Sequence, residues 1–325
     1  MNQLIIIVGP TAVGKSALGI DLARSINGEI ISADSVQVYR ELNIGSAKPG
    51  LREQQNIPHH LIDFLNPDQP YTAAQFQLEA AVLIKSIRER GRVPILLGGT
   101  GLYVRALLDN YRFMEGGSSH LRKKWQDFLA EEGKEALFAA LLEYDPQSAA
   151  RLHPNDVLRV IRALEVYELT GKTLSSQRPS PENSYPVLAD SVIYVGLNAP
   201  REILYQRIDQ RSEQMLTEGL LAETREILGK GYSPQLKPLQ SIGYRHAIWH
   251  LQGLVTREEM LRLLQRDTRH FAKRQLTWFR RDPRIKWYDI TQTSIENIVE
   301  KISLTCTVSK SRVKLMNNQV IELER

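Results

Sequence analysis

The chain has 325 residues, enough for two domains or for one large domain with an insertion. Hydrophobic residues make up 42% and charged residues 24%, a composition that excludes a disordered or fibrous chain. The single cysteine, Cys306, excludes a disulfide framework and a multi-cysteine metal site. The apolar run Leu4–Val8 is too short for a signal peptide or a membrane span. We therefore expect a cytoplasmic enzyme or binding protein that has no membrane partner.

Positive charge is concentrated in one third of the chain. The whole sequence carries 42 Lys and Arg against 37 Asp and Glu, a net charge of +5. Residues 191–290 hold 17 basic and 11 acidic residues, a net of +6, which leaves 25 basic and 26 acidic residues for the remainder. This asymmetry indicates an anionic partner, although a solvated helix face would give the same count.

The first part of the chain alternates strands and helices. Short apolar runs predict strands at Gln3–Val8, Glu29–Ala33 and Val93–Leu97. Helical spacing predicts helices at Lys15–Ile26 and at Thr72–Arg90, the second capped by Thr72. The alternation predicts an α/β fold with a mostly parallel sheet covered by helices on both faces.

A helical insertion interrupts this sheet domain. No segment between His120 and about Thr170 is typical of a strand. The predicted elements are helices at Leu121–Glu132, Lys134–Glu143 and Asp156–Leu169, a Pro-rich loop at Arg178–Pro186, a strand at Ser191–Leu197, and helices at Arg201–Glu218, Leu220–Lys230 and Thr256–Arg280. We therefore predict a core formed by residues 1–111 and 188–303 with a helical C-terminal region, an insertion domain at 112–187, and an unassigned tail at 304–325.

A phosphate-binding loop lies between the first predicted strand and the first predicted helix. The segment Gly9-Pro10-Thr11-Ala12-Val13-Gly14-Lys15-Ser16 fits the pattern G-x-x-x-x-G-K-[ST]. Its backbone N–H groups can surround phosphate oxygens, Lys15 supplies a cation, and the Ser16 hydroxyl can ligate Mg²⁺. We therefore predict a phosphate or diphosphate site in a P-loop NTPase-like core.

The chemistry of that loop is a separate question. Kinases and ATPases share the loop, and ATPases usually place an Mg²⁺-organising Asp at a strand end. The predicted strand Val93–Leu97 ends instead in Gly98-Gly99-Thr100, without a carboxylate. This weakens the ATPase interpretation and leaves a kinase open.

The second predicted strand delivers polar side chains to the same edge of the sheet. Asp34, Ser35 and Gln37 follow its buried run, and ligands of open α/β sheets bind at the carboxyl ends of the strands. Asp34 is therefore a candidate general base. The alternative is that Asp34 caps the next helix.

Several segments together resemble the tRNA dimethylallyltransferase family. They run in order along most of the chain: the phosphate loop, Asp34–Tyr39, Asn43–Pro49, Pro58–Asp63, Gly98–Tyr103, Arg162–Val166, Ser241–Arg245 and Lys273–Trp278. The resemblance implies transfer of a dimethylallyl group from dimethylallyl diphosphate to N6 of the adenine next to the anticodon, on the 3′ side. It also implies Mg²⁺ as the cofactor and tRNA as the macromolecular partner. We expect a monomer, although nothing in the sequence determines the oligomeric state.

The resemblance assigns roles at the reaction centre. The loop from Thr11 to Ser16 would hold the diphosphate, Thr100 would donate to its bridging oxygen, and Arg211 would reach its phosphates. Thr100 could also be a simple strand-end turn residue. Arg207 and Arg211 share one face of the predicted helix, and either could merely pair with Asp209 or Glu213.

The resemblance also implies a set of residues that bind tRNA. They are Asp34, Ser35, Val36, Gln37, Thr100, Arg122, Leu158, Arg159, Val160, Ile161, Arg162, Ser241, Ile242, Gly243, Tyr244, Arg245, Lys273, Arg274, Gln275, Leu276, Thr277, Trp278, Phe279 and Arg280. Relatives usually carry Gln where this chain has Leu158, so a contact made by that amide is not implied here.

One basic stretch supports RNA binding on its own chemistry. Between residues 266 and 286 there are eight basic residues: Arg266, Arg269, Lys273, Arg274, Arg280, Arg281, Arg284 and Lys286. Aromatic residues lie among them, and cations with aromatic planes are typical of single-stranded RNA contacts. Phe271 and Trp278 could instead form the buried stripe of an amphipathic helix.

Two other functions stay open. A small-molecule or nucleotide kinase would explain the loop and Asp34, but not the basic region or the Gly-Gly-Thr strand end. A non-catalytic RNA-binding module would not explain an intact Lys15 and Ser16 together with Asp34 and Thr100.

Overall fold

The strands form one six-stranded parallel sheet in this computed structural model, which describes residues 3–111, 113, 117–177 and 192–306. In chain order the strands are β1 (Leu4–Val8), β2 (Gly28–Ala33), β3 (His59–His60), β4 (Val93–Gly98), β5 (Val192–Asn198) and β6 (Lys286–Asp289). Their order across the sheet is β3-β2-β4-β1-β5-β6, with every neighbouring pair parallel. This confirms the predicted α/β class.

Helices connect and cover the strands. In chain order they are α1 (Lys15–Ile26), α2 (Leu51–Gln54), α3 (Ala73–Glu89), α4 (Gly101–Leu108), α5 (Ser119–Tyr144), α6 (Pro146–Ala149), α7 (Val157–Thr170), α8 (Arg201–Thr217), α9 (Leu220–Gly229), α10 (Ile242–Leu251), α11 (Arg257–Phe279) and α12 (295–306), with 3₁₀ turns at Ser175–Gln177 and Lys237–Gln240. Thr72 caps α3 as predicted, since its hydroxyl oxygen accepts from the Gln75 N–H at 3.2 Å.

The central strand β1 is buried on both faces, which explains why its sequence is continuously apolar. Side chains alternate along a strand, so Leu4, Ile6 and Val8 join one core while Ile5 and Ile7 join another. The first core contains side chains of α3, α4, α9 and α10, and the second contains side chains of α1, α8 and α12. Helix α11 contributes to both.

Several elements differ from the sequence prediction. Strands β3 and β6 were not predicted, because two and four residues are too few for a periodic signal. Helices α4 and α10 were not predicted either. The two predicted helices Leu121–Glu132 and Lys134–Glu143 are the halves of α5, which is broken at Gly133, where φ is 83°.

The chain divides into two compact units, Met1–Leu108 with Pro186–Arg325 and, between them in sequence, Asp109–Tyr185. The sequence predicts 112–187 for the inserted unit. In its described residues that unit is built from helices α5, α6 and α7 around Trp125, Leu137, Leu141 and Leu164.

The predicted Pro-rich loop lies entirely outside the described residues, and the predicted tail lies largely outside them. The segments concerned are Arg178–Pro186 and, within the predicted tail, residues 307–325. Residues 304–306, which the sequence left unassigned, belong to the end of α12, and Cys306 is buried. Within the described ranges, no helix is both long enough and apolar enough to cross a membrane.

Candidate active site

The phosphate loop joins β1 to α1 at the carboxyl edge of the sheet. It turns through left-handed conformations at Ala12 (φ 64°) and at Gly14 (φ 100°), which caps α1. Pro10 and Val13 are buried, so they can serve a ligand only through their backbone. Ser16 is exposed at the start of α1.

Lys15 lies back over its own loop. Its Nζ donates to the carbonyl oxygen of Pro10 at 2.8 Å. Burial and, to a smaller extent, the charge of Arg211 lower the pKa of Lys15, the carboxylate of Asp34 acts in the opposite direction, and the resulting pKa is about 8. The charged form of Lys15 is therefore disfavoured in the free protein, and a bound anion would stabilise it.

One backbone amide of the loop is already committed. The N–H of Thr11 donates to Oε1 of Gln275 at 2.8 Å. The expectation that every amide from Thr11 to Ser16 faces the diphosphate is wrong at this residue, because its proton is used by a buried side chain.

Asp34 stands at the end of β2 and organises the following turn. Its Oδ1 accepts from the backbone N–H of Val36 at 2.8 Å and of Gln37 at 3.2 Å. No helix follows Asp34 directly, so its side chain caps a turn and not a helix. This capping role uses only one of the two carboxylate oxygens. Among the described residues, Oδ2 of Asp34 makes no hydrogen bond and can accept one from a ligand.

Thr100 lies beside this turn. Its Oγ1 accepts from the N–H of Ser35 at 3.1 Å, and its carbonyl accepts from Tyr103 in the first turn of α4. A hydroxyl that accepts one hydrogen bond still has its proton to donate. Thr100 therefore both starts α4, as the turn alternative requires, and presents a donor next to Asp34.

Arg211 reaches the phosphate loop from α8. Its Nη1 donates to Oγ1 of Thr11 at 3.3 Å. Asp209, one alternative partner, pairs instead with Arg269 at 2.8 Å. Burial lowers the pKa of the Arg211 guanidinium, and Asp34 partly offsets this.

Of these groups, Lys15 and Arg211 line a cavity of about 890 Å³, whereas Asp34 and Thr100 do not. The phosphate loop with α1, the segment 43–55 and helix α8 form its walls. Arg207 and Arg211 both line it, as do Lys15, Ser16 and Lys48. The cavity is large enough for a diphosphate ester and has cations on its walls.

Glu223 on α9 holds the wall formed by residues 43–55 in place, a role that the sequence did not predict. Its carboxylate accepts from the backbone N–H of Ile44 at 3.0 Å and of Gly45 at 3.2 Å. It also accepts from the hydroxyl of Tyr244 at 2.6 Å, and burial followed by the charge of Glu223 raises the pKa of that tyrosine. The loop that lines the cavity is therefore anchored to α9 and α10.

Two family models match the chain. Residues 37–282 match the model of IPP transferase, and residues 2–65 match that of isopentenyl transferase. The chain belongs to the IPP transferase family, that of the tRNA dimethylallyltransferases. Membership confirms the predicted family and the predicted class of enzyme, a transferase of tRNA modification by prenylation.

Individual relatives cover nearly the whole chain. A tRNA dimethylallyltransferase of Desulfitobacterium hafniense is 59% identical over 97% of this chain and 100% of its own length. One of Carboxydothermus hydrogenoformans is 50% identical over 93% of this chain and 96% of its own length.

Solved structures agree with this assignment. A tRNA isopentenylpyrophosphate transferase from Bacillus halodurans is similar with a TM-score of 0.71 and 38% identity, covering 98% of this chain and 100% of that one. A eukaryotic dimethylallyltransferase acting on tRNA gives a TM-score of 0.74 at 29% identity, covering 92% of this chain and 77% of that one.

In this member of the tRNA dimethylallyltransferase family, the predicted tRNA-binding segment of α11 has an exposed face and a buried face. Lys273, Arg274, Thr277 and Arg280 are exposed or partly exposed, whereas Gln275 and Phe279 are buried and Leu276 and Trp278 are partly buried. The prediction is therefore corrected for the side chains of Gln275 and Phe279, which the protein interior already surrounds.

The segment Ser241–Arg245 is corrected in the same way. Gly243 and Tyr244 are buried, and Tyr244 bonds Glu223. Ser241 and Ile242 are partly buried. Arg245 is partly exposed and donates to Asp267 at 3.1 Å. The motif mainly packs α10 against the loop at Gly45.

Near Asp34, one further predicted contact is internal. Nε2 of Gln37 donates to the carbonyl oxygens of Ser46 at 3.3 Å and Ala47 at 3.1 Å. Ser35 is exposed and Val36 is partly buried. Gln37 therefore positions the cavity wall, while Ser35 is accessible.

In the inserted unit, two of the three predicted arginines contact one buried carboxylate, and the third, Arg159, pairs with Asp156 at 2.9 Å. Glu165 accepts from Arg122 at 3.1 Å and from Arg162 at 2.9 Å. Arg159 and Leu158 are exposed, Leu158 to 78%. The prediction is corrected for Val160 and Ile161, whose side chains are buried in this unit's core.

Proposed function

We propose that the protein transfers a dimethylallyl group from dimethylallyl diphosphate to N6 of the adenine on the 3′ side of the anticodon in tRNA, with release of diphosphate. The observation that carries the proposal is the gathering of Lys15, Arg211, Asp34 and Thr100 at one edge of the sheet, in a chain of this family. The cations suit an anionic leaving group, and the carboxylate suits an acceptor that loses a proton.

Departure of the diphosphate is the step that needs positive charge. As the allylic C1–O bond breaks, negative charge grows on the bridging oxygen. Lys15, Arg211 and the loop amides from Ala12 to Ser16 would stabilise the phosphate oxygens, and the Thr100 hydroxyl would donate to the bridging oxygen. These donors are fixed before the reaction, so little reorganisation opposes it.

Attack by the adenine needs a proton acceptor. N6 forms the new bond to C1 while the C1–O bond breaks, and the N6 proton passes to Oδ2 of Asp34. Oδ1 stays bonded to the amides of Val36 and Gln37, which fixes the direction of the other oxygen. The products are the prenylated adenine and diphosphate.

Mg²⁺ fits the residues that face the cavity. Ser16 is exposed, lines the cavity and offers a hydroxyl oxygen beside Lys15. Mg²⁺ usually takes one or two protein oxygens together with substrate phosphates and water. When bound, it would neutralise charge on the diphosphate, and Ser16 would hold it.

The tRNA would contact exposed basic side chains. On α11 and at its end these are Lys273, Arg274 and Arg280, and in the inserted unit Arg122 and Arg159. Their charge and exposure support phosphate contacts. We further propose that the enzyme acts as a monomer in the cytoplasm.

The decisive experiment is product identification. Purified protein is incubated with Mg²⁺, dimethylallyl diphosphate and unmodified tRNA, and digested nucleosides are analysed by mass spectrometry for N6-dimethylallyladenosine. A tRNA with guanine in place of the adenine beside the anticodon serves as the control. A parallel titration with ATP tests the kinase alternative, and phosphoryl transfer without prenylation would overturn the proposal.

A further inference from the structure

Gln275 joins two segments of the reaction centre that are far apart in sequence. It lies on the buried face of α11 and is 6% exposed. Its Oε1 accepts from the Thr11 N–H at 2.8 Å, and its Nε2 donates to the carbonyl oxygen of Gly99 at 3.1 Å. One amide side chain therefore bonds the phosphate loop and the strand end that carries Thr100.

The first of these bonds fixes a single peptide unit, that between Pro10 and Thr11. Its carbonyl accepts from Lys15 Nζ at 2.8 Å, and its N–H donates to Gln275. In a trans peptide these two groups point to opposite sides. Gln275 consequently determines on which side of the loop the Lys15 ammonium is held.

The second bond belongs to a close approach of α11 to the backbone around Thr100. A Cβ atom at Gly99 would lie 2.2 Å from Nε2 of Gln275, and one at Gly101 would lie 2.3 Å from Nε1 of Trp278. Residues three apart share a helix face, so α11 packs against both neighbours of Thr100. Only glycine leaves room for this contact.

We infer that Gln275 is a positioning residue for prenyl transfer. From the buried face of α11, it holds the phosphate loop and Thr100 in fixed positions relative to each other. The inference rests on the proposed function and deepens it. The exposed face of the same helix carries Lys273 and Arg274. The buried face of α11 then positions the donor site, and its exposed face is available to bind RNA.

The test separates a positioning role from an RNA contact. Gln275→Met keeps the size of the side chain and removes both hydrogen bonds. We expect inorganic diphosphate to bind the tRNA-free variant about tenfold more weakly, the loss of roughly one net hydrogen bond. Single-turnover transfer at saturating donor and tRNA should fall by about 10², while the Kd for tRNA stays unchanged. Gln252→Met, at an exposed glutamine after α10, is the matched control.

A second variant guards against misfolding of the first. Gly99→Ala introduces a methyl group that displaces the Gln275 amide while Gln275 itself is kept. It should reproduce both losses, and the double variant should be no worse than either single one, because both changes remove the same contact. Thermal unfolding of each variant confirms that the folded protein is being measured.

Three results would overturn the inference. Weaker tRNA binding with unchanged diphosphate binding would make Gln275 an RNA contact. Lower stability with unchanged kinetics would make it merely structural, and additive losses in the double variant would mean that the two residues act separately. Failure of the wild-type protein to prenylate tRNA would remove the proposed function instead, while the diphosphate titration would still test the Gln275 bonds.

Discussion

Arg211 and Thr11 are 200 residues apart in sequence, yet the guanidinium Nη1 donates to the threonine Oγ1 at 3.3 Å. This contact brings α8 to the phosphate loop and places a fixed cation beside Lys15. Arg207, one turn earlier, lines the same cavity but is exposed. The two arginines therefore offer a direct comparison of a more buried and a solvated charge on one helix.

We predict that Arg211→Ala lowers single-turnover transfer at saturating tRNA by about 10²–10³, the usual loss for one fixed donor to a developing anion. Arg211→Lys should recover only part of the rate, because an ammonium cannot make two parallel contacts to phosphate oxygens. Arg207→Ala should have a mild effect. The reverse order for the two alanine variants would make Arg207 the catalytic arginine.

Asp34 allows its two roles to be separated by one substitution. Asp34→Asn keeps an oxygen for the amides of Val36 and Gln37 but cannot accept the N6 proton. We expect it to lower turnover by about 10² or more, as Asp34→Ala should, with nearly normal tRNA binding. Asp34→Ala should also lower the melting temperature, because two amides lose their acceptor. Full activity of the asparagine variant at neutral pH would exclude Asp34 as the base.

Lys15 predicts a pH dependence of donor binding. Its pKa is about 8 in the free protein, and an anion binds the charged form. A bound diphosphate must raise that pKa, so the affinity for inorganic diphosphate should fall as pH rises above about 8, by up to about tenfold per unit. Lys15→Arg keeps its charge throughout this range and corrects for titration of the ligand itself. Identical pH profiles of wild type and Lys15→Arg would contradict the prediction.

Features whose residues are adjacent in sequence could be predicted, whereas features formed by residues far apart in the chain could not. The phosphate loop and the four longer strands were predicted because their patterns are contiguous, as in Leu4–Val8. Gln275 was predicted to bind tRNA because the family motif contains it, although Ala272, Gln275 and Phe279 form a helical stripe that indicates the buried face. Glu223 could not be found, because its partner Gly45 is 178 residues away.

The basic residues at the end of α11 give a prediction that depends on salt. Lys273, Arg274, Arg280 and Arg281 are exposed. Replacing all four by alanine should weaken tRNA binding and flatten its salt dependence, by about 0.7 to 0.9 in the log–log slope for each phosphate that is no longer neutralised. Arg262, on the same helix and paired with Glu259, provides the control R262A. An unchanged slope in the quadruple variant would place the RNA elsewhere.

Glu223 anchors a wall of the donor cavity from outside it, so its loss should affect the donor more than the tRNA. Removing the carboxylate leaves the amides of Ile44 and Gly45 and the hydroxyl of Tyr244 without their acceptor. The loop from Asn43 to Gly50 then loses its fixed position beside the phosphate loop. The expected consequence is a poorly shaped donor site in a protein that still folds around its apolar cores.

We predict that Glu223→Ala raises the KM for dimethylallyl diphosphate by at least about tenfold, equivalent to about 1.4 kcal/mol, with little change in the Kd for tRNA. Tyr244→Phe removes one of the donors to Glu223 and should give a smaller increase. Glu226→Ala is the matched control, since Glu226 is exposed on the same helix and pairs with Lys230. If Glu223→Ala instead weakened tRNA binding at an unchanged donor KM, the loop would belong to the RNA site, and the cavity would need another occupant than the donor.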